Sequence, residues 1–227
     1  MFPPVASVSG TDIEDARQAV ASAARRLAGE RLVLGTSGNV SLRAGDSVAV
    51  SPTGAKLAAL EAGQVAVVNL DGRQLGGPLA PTSELGLHLG IHAERGDGAV
   101  VHTHSPAATA LSCVIDELPP VHYEMLRFGG SVRVAPYATF GSTELAANVH
   151  AALDGRTAAL MANHGSVVAA ASMDSAVELA LLLEWACEVY ARASALGSPR
   201  TLSDDDLRAV VEQVTAIGYG STREAEG

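Results

Sequence analysis

Two rhythms of apolar residues run along the chain. Near helical spacing, Ile13, Ala16, Val20, Ala23 and Leu27 follow Thr11-x-x-Glu14, a capping-box pattern, and predict a helix starting at Thr11. Gly35-Thr36-Ser37-Gly38-Asn39 breaks that pattern. Short runs at 40–42, 48–51 and 65–69 follow, separated by Ala44-Gly45-Asp46 and Asp71-Gly72, and these predict strands. Thr82-Ser83-Glu84 opens a second helix that reaches about Glu94. Asp97-Gly98 then turns the chain into a strand over 99–102, and Ser105-Pro106 starts another helix.

The second half repeats this interleaving. A strand at 132–134 leads to a loop over 136–141, and Ser142 caps a helix to about Leu153. Strands at 157–161 and 167–170 flank Asn163-His164-Gly165. The strongest helix follows Ser172, carries Val177, Ala180, Leu181, Leu183, Glu184 and Val189, and ends near Gly197. A last helix starts at Ser203. No repeat or linker interrupts the pattern, so one α/β domain with a mixed sheet over 11–220 is expected. A loose arm over 1–10 would precede it and a polar tail over 221–227 would follow.

Composition narrows the function. The 227 residues are 48% hydrophobic and 18% charged, enough for one real core. Fifteen basic against 25 acidic residues, net −10, leave no basic face for a nonspecific nucleic-acid binder. No run of about 18 apolar residues predicts a membrane span. The N-terminus lacks a basic stretch followed by an apolar one, so a cytoplasmic protein is expected. Cys113 and Cys187 give neither a disulfide framework nor a cysteine-based zinc motif. Only eight aromatic residues are present, and a core of small side chains points to extra burial by oligomerisation.

The chemistry gathers on histidines. In Val101-His102-Thr103-His104-Ser105 the two imidazoles lie at i and i+2 of a strand, on one side, where both can reach one metal ion. His164 ends another apolar strand. Three histidines and a carboxylate would make a zinc shell, although a lone His-x-His is also an ordinary polar strand end. His88 and His92 form an i, i+4 pair without the glutamate of His-Glu-x-x-His, and read as surface or packed residues. His122 and His150 read as structural.

Glu84 falls in the first turn of its helix, where a simple N-terminal cap is the plain reading. Three small-residue loops, 35–39, 51–54 and 82–83, offer hydroxyls and backbone N–H groups to a phosphate; each alone could be a turn. Neither a P-loop nor a dinucleotide-binding glycine motif is present.

Taken in order, Gly38-Asn39, Ser51-Pro52-Thr53-Gly54, Ser83-Glu84, His102-Thr103-His104, His122-Tyr123, Pro136-Tyr137-Ala138-Thr139-Phe140-Gly141 and Asn163-His164-Gly165 resemble the class II aldolase/adducin family. The pattern is nearest the aldolases that cleave L-fuculose 1-phosphate, and it runs from about 12 to 218. The resemblance implies a three-layer fold whose central sheet is mixed and mainly antiparallel. It implies one zinc ion per chain on His102, His104 and His164, with Glu84 as fourth ligand and catalytic acid/base. It places the substrate phosphate on Gly38, Asn39, Thr53, Gly54, Thr82 and Ser83, and Phe140 on the wall of the aldehyde pocket. Tyr123 becomes the proton donor to the carbonyl oxygen, reached across a subunit interface of a ring-shaped homotetramer.

The implied reaction is reversible cleavage of a ketose 1-phosphate to dihydroxyacetone phosphate and an aldehyde such as L-lactaldehyde. No lysine Schiff base is required, in keeping with the single lysine, Lys56. Related epimerases carry Asp at the Glu84 position, so Glu84 favours cleavage. Related methylthioribulose-1-phosphate dehydratases carry His-x-Glu-Met, matched here by His122-Tyr123-Glu124-Met125, but lack a glutamate at the Glu84 position. A noncatalytic adducin-like module would lose the metal ligands, and all four are present. One departure concerns a tail tyrosine of the family: its position holds Ile217, with Tyr219 two residues on.

Overall fold

The computed structural model describes residues 12–96 and 98–217. The expected arm over 1–10, Thr11, Tyr219 and the tail over 221–227 lie outside them. The first helix, α1 (Ile13–Gly29), is capped by Asp12, whose carboxylate accepts from the Glu14 N–H at 3.2 Å. The strands β1 (Asn39–Ala44), β2 (Ser47–Val50), β3 (Ala66–Asn69) and β4 (Gln74–Gly76) follow, then α2 (Leu85–Arg95), β5 (Ala99–Thr103) and α3 (Pro106–Ser112). The rest comprises β6 (Glu117–Leu118), β7 (Val132–Ala135), α4 (Thr143–Leu153), β8 (Ala158–Met161), β9 (Gly165–Ala170), α5 (Met173–Leu196) and α6 (Asp204–Ile217). Ser142 and Ser172 cap α4 and α5 as their sequence positions suggest, and Gly197 follows α5.

The nine strands among the described residues form one sheet in the order β4-β3-β2-β1-β5-β9-β8-β7-β6. Among the described residues β7 and β8 are the parallel pair, and the other neighbours run antiparallel. The mixed, mainly antiparallel α/β sheet of the sequence reading is therefore present. Strands β4 and β6 lack a sequence signal. β4 carries exposed Gln74 and Leu75, and β6 has two residues, too short for alternation to register.

Strand alternation sorts side chains to the two faces. Ala99 and Val101 of β5 join Leu160 and Val168 in a core with α1, α3 and α5. Val100 joins Ala159, Met161, Val167 and Ala169 against Leu87 and Ile91 of α2 and Leu145 and Val149 of α4. His102 shares the face of Val100, so the site opens on the α2/α4 side. A one-residue slip of β5 would carry both the apolar set and His102 to the wrong face.

The turn after β5 is held from a distance. Pro106 starts α3 and Ser105 makes no side-chain cap. The orphan N–H groups of Ala107 and Ala108 instead donate to the two carboxylate oxygens of Glu184 on α5, at 2.8 and 2.9 Å. Charge-assisted bonds of this kind are the strong ones. Glu184→Ala is expected to lower the free energy of unfolding by about 2 kcal/mol, since it leaves two helix-end donors unmatched. Urea denaturation checks this, and a change under about 0.5 kcal/mol would contradict the capping role. Among the described residues no helix is long and apolar enough to cross a membrane.

Candidate active site

Three histidines reach one point from two places in the sheet. β5 delivers His102, and His104, two residues on and just past the strand's end, reaches the same place. His164 arrives from the turn between β8 and β9, where Met161 pairs with Gly165. The turn needs Asn163 in the left-handed region (φ 53°), a conformation that Asn tolerates better than most residues. It also needs Gly165, because a Cβ there would lie 2.2 Å from the Thr103 carbonyl oxygen. The three rings then stand 4.8–4.9 Å apart, centroid to centroid, at steep mutual angles.

Glu84 completes the group. It occupies the position before α2, not within its first turn, and its side chain caps nothing. Thr82 Oγ1 accepts from the Glu84 N–H at 3.2 Å, which leaves the Glu84 carboxylate to turn inward. Its Oε2 lies 3.2 Å from His102 Nε2 and accepts from Asn39 Nδ2 at 2.8 Å. Its Oε1 lies 3.6 Å from His164 Nε2, is buried and has no hydrogen-bond partner.

This donor set suits a divalent cation. His102 Nδ1 lies 2.9 Å from the Ser166 carbonyl oxygen, which can only accept. The proton is therefore on Nδ1, and the lone pair of Nε2 faces the other rings. His104 Nε2 lies 3.0 Å from that same atom. Three convergent imidazole nitrogens within 4.8 Å of one another, plus an orphaned carboxylate oxygen, match the ligands of a zinc-type site. Protonation fits as well. Burial, foremost, pushes His104 and His164 down to about 4, so both are neutral near pH 7, the form in which imidazole can bind a metal. Burial raises the Glu84 carboxyl, but the neighbouring His102, Asn39 and His164 outweigh it and hold it below the usual carboxylate range.

A cleft of about 320 Å³ opens beside these ligands. Gly38, Asn39, Thr53, Gly54, Thr82 and Ser83 line one side, with Tyr137, Phe140 and His164 on another. Loops 51–54 and 80–83 are tied to each other: the Thr82 N–H donates to the Ser51 carbonyl and the Thr53 N–H to the Ala80 carbonyl. Gly38 (φ 80°) packs so tightly on β5 that a Cβ would stand 2.8 Å from the His102 carbonyl oxygen. Among the described lining residues Glu84 carries the formal charge, and neither lysine nor arginine is present. Asn39 reaches the cleft, yet its side-chain amide is held by Glu84 and His88.

Tyr123 is not brought to this cleft in its own chain. It starts a 3-10 helix over Tyr123–Phe128, with its ring on His122, which in turn contacts Trp185. Glu124 is likewise absent from the cleft lining. The expectation for Tyr219 falls outside the described residues, and Ile217 ends α6 on the surface. His88 and His92 are packed, as the sequence reading has it, but they also join the Glu84 hydrogen-bond network. The missed signal was the i, i+4, i+8 series Glu84, His88 and His92.

The family model described as Class II Aldolase and Adducin N-terminal domain matches residues 18–191. The chain belongs to the class II aldolase and adducin family. Its named relatives are aldolases, and the chain is a class II aldolase, a lyase. The aldolase is 37% identical over 204 residues to a 5-methylthioribulose-1-phosphate/5-deoxyribulose-1-phosphate aldolase of Rhodospirillum rubrum, covering 89% of this chain and 92% of that one. It is 35% identical over 187 residues to the L-fuculose phosphate aldolase of Escherichia coli K12, covering 81% and 86%. Among solved structures, an L-fuculose 1-phosphate aldolase superposes with a TM-score of 0.84 at 31% identity, over 91% of this chain and 98% of that one. These matches bear out the family and fold implied by the sequence motifs.

Proposed function

We propose that this aldolase is zinc-dependent and cleaves a deoxyketose 1-phosphate between C3 and C4, reversibly, to dihydroxyacetone phosphate and a short aldehyde. The observation that carries the reading is the buried, unpartnered Glu84 Oε1 facing His102, His104 and His164 at the head of the cleft. One zinc ion per chain on these four residues would supply a Lewis acid to the ketose carbonyl and stabilise the charge that develops as the bond breaks. The phosphate group fits the hydroxyls and backbone of Gly38, Asn39, Thr53, Gly54, Thr82 and Ser83, close to the N-terminus of α2. Phe140 and Tyr137 offer an apolar wall to the methyl end of the aldehyde half.

In cleavage, the C4 hydroxyl loses its proton, the C3–C4 electron pair stays on C3, and Glu84 delivers a proton to C3. In condensation, Glu84 removes that proton, for which its low-lying carboxyl is in the correct ionised form. Tyr123 is assigned the other proton, at the aldehyde oxygen. It stands 37% exposed on the chain surface, which supports its entry into the site of a neighbouring copy within a homotetramer. The two free cysteines accord with a cytoplasmic setting.

L-fuculose 1-phosphate and 5-deoxy-D-ribulose 1-phosphate both end in a methyl group. The pentulose is favoured here, because relatives named for it are 37% and 33% identical and because Ile217 replaces the tail tyrosine. The deciding experiment gives zinc-loaded protein each substrate, with and without chelator, and measures dihydroxyacetone phosphate. Chelator-sensitive release, faster from the pentulose, is expected. No release from either, with water lost from 5-methylthioribulose 1-phosphate in a reaction that needs Glu124, would establish the dehydratase reading instead.

A further inference from the structure

Ser41, His88 and His92 have no part in the chemistry above, yet all three are buried beneath it. Two stripes meet there. Glu84, His88 and His92 lie four residues apart along one face of α2 and its entry, and Asn39 and Ser41 lie two apart along one face of β1. A helical i, i+4 step climbs about 6 Å and a strand i, i+2 step about 6.6 Å, so the stripes interlock group by group.

Their hydrogen bonds have one direction. Ionised Glu84 can only accept, so Asn39 turns its Nδ2–H toward Oε2 and its Oδ1 toward His88. His88 Nε2 is then the donor and His88 Nδ1 the acceptor, which receives the Ser41 hydroxyl at 2.7 Å. Ser41 Oγ accepts in turn from His92 Nε2 at 2.8 Å. The order requires a neutral His88, which both donates and accepts, and burial, foremost, holds His88 near 3 and His92 near 4. Asn39 interrupts the row as a proton path, because an amide does not pass protons along. The row can hold the carboxylate in place but cannot feed it.

We propose that Ser41, His88 and His92 are positioning residues that act through Asn39 to fix the Glu84 carboxylate, with Oε2 held and Oε1 turned toward His102, His104 and His164. The proposal rests on Glu84 being a metal ligand. Partners bonded directly to a metal ligand, as Asn39 is to Glu84, typically contribute about 10–100-fold to metal affinity, and His88 acts by holding Asn39.

The test measures zinc affinity by competition with a chelating indicator, alongside thermal unfolding and the kcat and KM of the zinc-loaded full chain. His88→Leu is expected to weaken zinc binding about 10–100-fold and to lower kcat more than KM. His88→Gln, whose amide can still donate to Asn39 Oδ1, is expected to recover most of the loss. Unchanged zinc affinity in folded His88→Leu would overturn the proposal. Equal losses in the Leu and Gln variants would also overturn it, since packing alone would then be at work. If His88→Leu does not fold, Ser41→Ala takes its place: several-fold weaker zinc supports the row, and wild-type affinity refutes it. Should the wild-type protein release no dihydroxyacetone phosphate, the functional reading falls, while the zinc comparison still decides this one.

Discussion

Glu84→Gln is expected to cut turnover by about 10²–10⁴-fold while leaving the fold in place. The substitution keeps the shape that fits between Asn39 and the histidines but removes the charge and the capacity to carry a proton. Glutamine also brings an N–H group to the region where His102, His104 and His164 direct their nitrogens, so it opposes a cation where Glu84 favours one. Circular dichroism and thermal unfolding would report the fold, and release of dihydroxyacetone phosphate the rate. Turnover within a few-fold of wild type at full zinc loading would remove Glu84 from proton transfer.

His104→Ala should abolish stable zinc binding and, with it, activity. His104 Nε2 lies 3.0 Å from His102 Nε2, and no other described side chain of the three-histidine group can replace it. Three remaining ligands would leave the cation open to water and to chelators. Metal analysis after dialysis against a chelator should fall from about one zinc per chain to a small fraction. The variant should also lose the zinc-induced rise in melting temperature that binding to the native state alone produces. Zinc retained one per chain would refute the ligand assignment. Comparison with Glu84→Gln separates the proposed roles, His104 acting through the metal alone and Glu84 through the metal and the proton.

Much of this site was legible in the linear pattern. His102 and His104 could be placed on one face before any fold was known, because alternation in a strand is a local property. Ser142 and Ser172 announced their helices for the same reason: a cap satisfies N–H groups two or three residues away. The start of α1 shows the limit of such patterns. The capping-box pattern points to Thr11, which lies outside the described residues, and Asp12 caps the helix. Glu84 stands one residue before α2, and the plain reading of it as a side-chain cap does not hold, since its carboxylate caps nothing. The family motifs imply another role for Glu84, one that local rules do not suggest.

The sequence by itself determined which side chains share a face, where the chain turns, and that three histidines and a glutamate are available. Only the tertiary structure decided that β1 lies between β2 and β5, that Asn39 stands opposite His102, and that the α2 stripe of Glu84, His88 and His92 settles onto Asn39 and Ser41. It also decided that Glu184, 76 residues from Ala108, closes the helix behind His104. The physical reason is range. Spacing and capping depend on bonds within a turn or a strand step, whereas register and helix placement are set by the packing of many small apolar residues distant in sequence. The sum of those contacts fixes the distances on which ligand geometry and hydrogen bonds depend.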